Sequence, residues 1–145
     1  MAETTPETTP ETTPAPQVKA PGLAKAYLIL AIVTTVVIVV QFFLAGLGTF
    51  HDIHTGKTSG FKAHEQVGYG IAILSAILLI VALLGRMGGR TIGMVAFLLI
   101  LAGPVQPLLA NAGTDHSEVW GALHAFIGTS MLGLCFTLIR LAKKG

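Results

Sequence analysis

Residues 41–51 read QFFLAGLGTFH, and residues 106–116 read QPLLANAGTDH. Both fit Q-x-x-L-A-x-x-G-T-x-H. Each copy is followed by a segment that opens H-x-x-x-G, His64 to Gly68 in the first case and His124 to Gly128 in the second. A pattern that returns with its glutamine, glycine and histidine in register marks an internal duplication, and the fold follows from what the repeated unit is.

The composition around the repeats defines that unit. Of 145 residues, 52% are hydrophobic and 11% charged, with a mean hydropathy of +0.75. Sixteen charges are too few to cover a soluble domain of this length. They also cluster. No Asp, Glu, Lys or Arg occurs in the 26 residues between Lys25 and Asp52, the 20 between Glu65 and Arg86, the 24 between Arg90 and Asp115, or the 21 between Glu118 and Arg140. A hydrocarbon layer about 30 Å thick is crossed by roughly 20 apolar residues in a helix. Backbone amides inside lipid must be satisfied within their own segment, so each run predicts a transmembrane helix. The expected spans are about 24–48, 64–84, 91–112 and 118–141, and the expected fold is all-α, a transmembrane four-helix bundle made of two repeated helical hairpins. Two spans per unit give both copies the same orientation, related by a pseudo-twofold axis along the membrane normal.

Charge placement orients the bundle. Lys19, Lys25, Arg86, Arg90, Arg140, Lys143 and Lys144 fall on one side of the spans, against Lys57 and Lys62 on the other. The positive-inside rule then predicts a plasma-membrane protein with both termini and the RMGGR turn cytoplasmic. Residues 3–14 are three copies of ETTP. Residues 1–21 are expected to form a disordered cytoplasmic tail, a linker or a segment for partners or phosphorylation, ahead of a transmembrane domain over 22–145. The sequence Gly103-Pro-Val-Gln-Pro107 predicts a kink in span 3, and Ser117 is placed to cap span 4. Cys135, alone and inside span 4, predicts apolar packing. No phosphate loop, nucleophile elbow, zinc-protease motif or basic-aromatic nucleic-acid surface is present, so no nucleic-acid partner is expected and no catalytic residue is assigned.

The duplication gathers histidines. His51, His64, His116 and His124 all fall at the outward ends of helices, as two symmetric pairs; His54 lies outside the scheme. Imidazole is a common metal ligand and an axial ligand of haem. Two facing helices that each present one at the same depth can hold a flat macrocycle. Gly68 and Gly128, four residues beyond His64 and His124, lie on the same helix faces and leave room there, for a porphyrin or for close helix packing. Gln41 and Gln106 fall about 15 Å deeper than the repeat histidines. They predict hydrogen bonds to one another or to carbonyls freed near Pro107, or the floor of a ligand cavity. Asp52, Glu65, Asp115 and Glu118 flank the histidines and serve either helix dipoles or the second ring nitrogen.

QFFLAGLGTF, HEQVGYGIAIL, QPLLAN and LHAFIGTSMLG together resemble small four-helix membrane proteins of bacteria and archaea known only as a domain of unknown function, over about residues 24–141. The layout is also similar to one half of haem A synthase and, more loosely, to cytochrome b561-like bundles. That resemblance implies haem b, with His64 and His124 as axial ligands; His51 and His116 match no ligand position of those families and are expected as supporting groups at the cofactor, or as its ligands instead. Histidines at one membrane face imply at most one haem. Haem A synthase activity involves an acidic residue beside the histidine; Glu65 adjoins His64, and His124 has no such neighbour. The expected function is therefore a haem b-binding, cytochrome-like membrane protein in electron transfer or haem handling, with a quinone or another redox protein as partner. The alternatives are a non-catalytic membrane subunit or assembly factor with structural histidines, and a Zn or Cu site of four imidazoles at the outward face.

Overall fold

A computed structural model describes residues 21–144. The tail expected over 1–21 lies, up to residue 20, outside the described residues. Five α-helices, α1 (Pro21–Thr55), α2 (Lys62–Leu84), α3 (Gly89–Ile100), α4 (Gln106–Asp115) and α5 (Glu118–Lys144), form four rods. A π-helical turn, Leu101–Val105, joins α3 to α4 into one span. All four rods are long and apolar enough to cross a membrane. Their outward surface is apolar, with Phe43, Phe50, Ile53, Leu108 and Phe126 among its exposed side chains. Such a surface is stable against lipid and unstable against water.

Helix α1 packs on α2 and α5, α2 packs on α3, and α3 with α4 packs on α5. The rods therefore stand in a square, with α2 and α5 at opposite corners. One end of the square, here the basic end, carries Lys25, Arg86, Arg90, Arg140 and Lys143. The other, the histidine end, carries all five histidines.

Local chemistry explains three features, of which the length of α1 differs from expectation. Helix α1 runs seven residues past Gly48. Thr49 and Thr55 bond back to Ala45 O and His51 O, which suits a continuing helix, and the chain turns out only at Gly56, with φ of 64°. The first connection is correspondingly short. At the basic end, Arg86 N–H bonds to Leu83 O and Met87 N–H to Ala82 O. This closes α2 in a Schellman pattern, with Arg86 at φ 47° in the position usually held by glycine. The third is the π-turn, in the stretch where a kink was expected. Pro104 has no N–H to give, and the ladder widens around it until Gln106 N–H bonds to Leu101 O, five residues back. As expected, Ser117 Oγ accepts the Val119 N–H and so caps α5, and Cys135 is buried.

Burial exposes the duplication in three dimensions. Counting from His64, α2 buries Ile71, Ser75 and Leu78, and further on Ala82; counting from His124, α5 buries Met131, Cys135 and Leu138, at the same first three offsets. Counting back from Gln41, α1 buries Ile38, Thr34 and Ala31. Counting back from Gln106, the third span buries Ala102, Leu98 and Val95, each one residue further away. The π-turn accounts for that offset. One extra residue in an α-helix would rotate everything beyond it by about 100°, and a π-turn absorbs one residue without that rotation.

Every side chain with less than 2% exposure, from Tyr27 and Thr34 to Cys135 and Leu138, lies in the basic half. In the histidine half, Leu109 and Gly48 are buried and most other residues are half-buried or exposed. The tightly packed core thus ends below the histidines.

Candidate histidine site between the hairpins

In the first hairpin, the Gln41 side chain donates through Nε2 to His64 O at 2.7 Å, and His64 Nδ1 bonds the Gln41 backbone carbonyl at 3.1 Å. In the second hairpin, Gln106 Nε2 donates to His124 O at 3.1 Å, and His124 Nδ1 bonds the Gln106 carbonyl at 3.1 Å. Each glutamine and histidine therefore exchange two bonds, side chain to backbone in both directions. The expected bonds between the two glutamines, or to carbonyls near Pro107, are not what forms. A histidine carbonyl near the start of a helix has a lone pair beyond its helical bond, and the glutamine on the neighbouring rod lies at the height to use it.

These contacts also account for the glycines. A Cβ on Gly68 would stand 3.1 Å from Gln41 Nε2, and one on Gly128 3.4 Å from Gln106 Nε2. The room expected beside a macrocycle is filled by amide side chains. Sequence reasoning noted glutamine and H-x-x-x-G separately; their joint recurrence in both halves was the signal that they meet.

The hydrogen bonds determine what each ring can do. A carbonyl oxygen only accepts, so Nδ1 carries the proton in both rings, and in the neutral imidazole Nε2 keeps its lone pair. Among the described residues no hydrogen bond reaches either Nε2. The two rings, from opposite corners of the square, have centroids 5.9 Å apart with planes inclined at 61°. Phe61 meets the His64 ring edge-on at 6.0 Å.

The other predicted residues lie elsewhere. His51 is exposed and pairs with Asp52 at 3.2 Å, and Asp52 also accepts the Gly60 N–H at 2.8 Å. His54 bonds Phe50 O, and His116 is an exposed residue at the end of α4. No carboxylate bonds His64 or His124, so backbone carbonyls, not the flanking acids, fix the second ring nitrogen. Among the described residues no three His, Cys, Asp or Glu side chains gather to hold a metal ion, so the four-imidazole site does not assemble.

Two further close approaches hold each hairpin shut beside its histidine. Gly48 lies against Gly60, and Gly113 against Gly121. A Cβ on Gly113 would stand 2.7 Å from Gly121 N, and one on Gly60 2.8 Å from Asp52 Oδ1. Backbones come this near only where at least one of the two, here Gly60 and Gly113, carries no side chain.

Residues 41–113, from the first repeat glutamine to the second repeat glycine, match a protein family of unknown function, DUF6220. The chain belongs to this family. The DUF6220 match takes in Gln41, His64, Gly68 and Gln106 and stops before α5, which supplies His124. No curated protein and no solved structure matches the chain.

Proposed function

We propose that this protein is a cytochrome-like membrane protein that holds one haem b between His64 and His124 and serves electron transfer or haem handling. The observation that carries the reading is the facing pair of rings with bare Nε2 atoms. Histidines that ligate a metal nearly always give the other ring N–H to a carboxylate, carbonyl or water, and both of these give it to a carbonyl. The two ring centres lie 5.9 Å apart, so His64 and His124 are the residues that would hold the group. Bound there, haem iron supplies one-electron redox chemistry. The chain's own part is to present two neutral nitrogens from different hairpins, hold their orientation, and surround them with apolar helices. The excess of Lys and Arg at the basic end supports a plasma-membrane orientation with the termini cytoplasmic and the histidine end outward. A quinone or another redox protein is the partner such a site would serve.

The test is absorption. Protein purified in detergent from haem-replete cells should show a Soret band that shifts on dithionite reduction. His64→Ala and His124→Ala should each lose it, and His51→Ala and His116→Ala should keep it. A colourless wild-type protein would overturn the reading and leave a structural membrane subunit.

A further inference from the structure

We propose that Gln41 and Gln106 are positioning residues, which set the tautomer and aim of His64 and His124 before any ligand arrives.

Four observations converge on them. The amide of each glutamine grips the backbone carbonyl of its histidine and so fixes the distance between the two helices at that level. At that distance each Nδ1 reaches the glutamine carbonyl at 3.1 Å, the same value in both hairpins. Glycine stands opposite each amide; a methyl group would press on Gln41 Nε2 at Gly68, and would come into contact with Gln106 Nε2 at Gly128. Finally, the π-turn absorbs the one extra residue of span 3, so that Gln106 faces α5 as Gln41 faces α2.

The orientation of the amides is also determined. The atom facing each histidine carbonyl must be a donor, so it is Nε2, and the amide oxygen turns away. Both oxygens, Gln41 Oε1 and Gln106 Oε1, are buried with no partner among the described residues. A buried acceptor left unbonded is costly. The amides therefore keep this orientation for the sake of the histidine carbonyls, against the interest of their own oxygens.

The tautomer claim stands on this geometry alone; its consequence for haem rests on the reading above. The test separates the two. In haem-free protein with 15N-labelled histidine, NMR should show His64 and His124 protonated at Nδ1 and bare at Nε2. Gln41→Leu should mix the tautomers of His64 and leave those of His124, and Gln106→Leu should do the reverse. Gly68→Ala, which disturbs only the amide, should reproduce Gln41→Leu and guards against a leucine variant that fails to fold. In haem-loaded protein each glutamine variant should weaken haem retention about 10-fold or more, the usual cost of losing an outer partner of a metal ligand. Nε2-protonated rings in the wild type would overturn the proposal, as would folded glutamine variants with unchanged tautomers. Failure of wild-type protein to take up haem, with the tautomers as stated, would remove the haem reading and leave the positioning role intact.

Discussion

The two hairpins reach one arrangement by different routes. In the first, an unbroken α1 carries Gln41 to His64, and the amide bond is 2.7 Å. In the second, the rod is interrupted by a π-turn around Pro104, Gln106 begins a new helix with Pro107 beside it, and the amide bond is 3.1 Å, with Met131 Sδ at 3.6 Å from the same nitrogen. The connections differ as well: Asp52 pins Gly60 in the first, while the second passes from α4 to α5 through His116 and Ser117. Through all of this the Nδ1-to-carbonyl bond stays at 3.1 Å in both. Helix continuity, proline content and loop length are free to vary; the rotational position of the glutamine relative to the histidine is not.

The largest effect should come from breaking that rotational match. Deleting Val39 from α1 turns Gln41 by about 100° relative to Ile38, Thr34 and Ala31, and should abolish a monodisperse peak in detergent size-exclusion chromatography. Deleting Pro104 together with Pro107→Ala should do the opposite. It removes the extra residue and both helix breakers, gives span 3 the spacing of α1, and should leave a folded protein. Loss of folding in both deletions would refute the assignment of the π-turn as a one-residue accommodation.

Next in size are the glycine contacts that shut the hairpins. Gly60→Ala and Gly113→Ala each force a backbone apart and should cost about 1–3 kcal/mol in detergent unfolding. Gly121→Ala, whose Cβ would find its nearest neighbour at 4.0 Å, should fall within about 0.5 kcal/mol of wild type. The tolerant and intolerant members of the second pair would thus be told apart. A single stabilising effect belongs to the joint between the hairpins. Arg86→Gly relieves a left-handed residue and should stabilise the protein by about 1 kcal/mol in the same measurement, with no change at either histidine.

Much of this fold was legible because charge is so costly in lipid that the gaps between Lys25, Asp52, Glu65, Arg86, Arg90, Asp115, Glu118 and Arg140 mark the spans directly. The overrun of α1 was not, because Gly48 and Thr49 look like a stop, whereas Thr49 bonds back to Ala45 O and the helix runs on to Thr55. Helix rotation was illegible for a deeper reason. Lipid-facing Phe43 and Leu108 are as apolar as core Leu78 and Leu98, so no periodicity tells inside from outside. Without rotation, Gln41 could not be assigned to His64 rather than to Gln106, nor could the extra residue at Leu101–Val105 be seen. The facing of His64 and His124 could be anticipated, since symmetry alone brings duplicated residues around one axis. The exposure of His51 and His116 could not, because equal depth does not imply equal direction.

The square arrangement has a mechanical consequence. His64 and His124 stand on diagonal corners, and those corners belong to separate halves of the chain. Anything clasped by both rings becomes a cross-brace between the two halves, whose contacts, α1 with α5 and α2 with α3, are not closed by a turn at the histidine end. Occupancy would then raise the temperature at which the two halves part, in proportion to the logarithm of ligand concentration once the site is filled. The same diagonal would let either half, supplied as a separate polypeptide, complete the other.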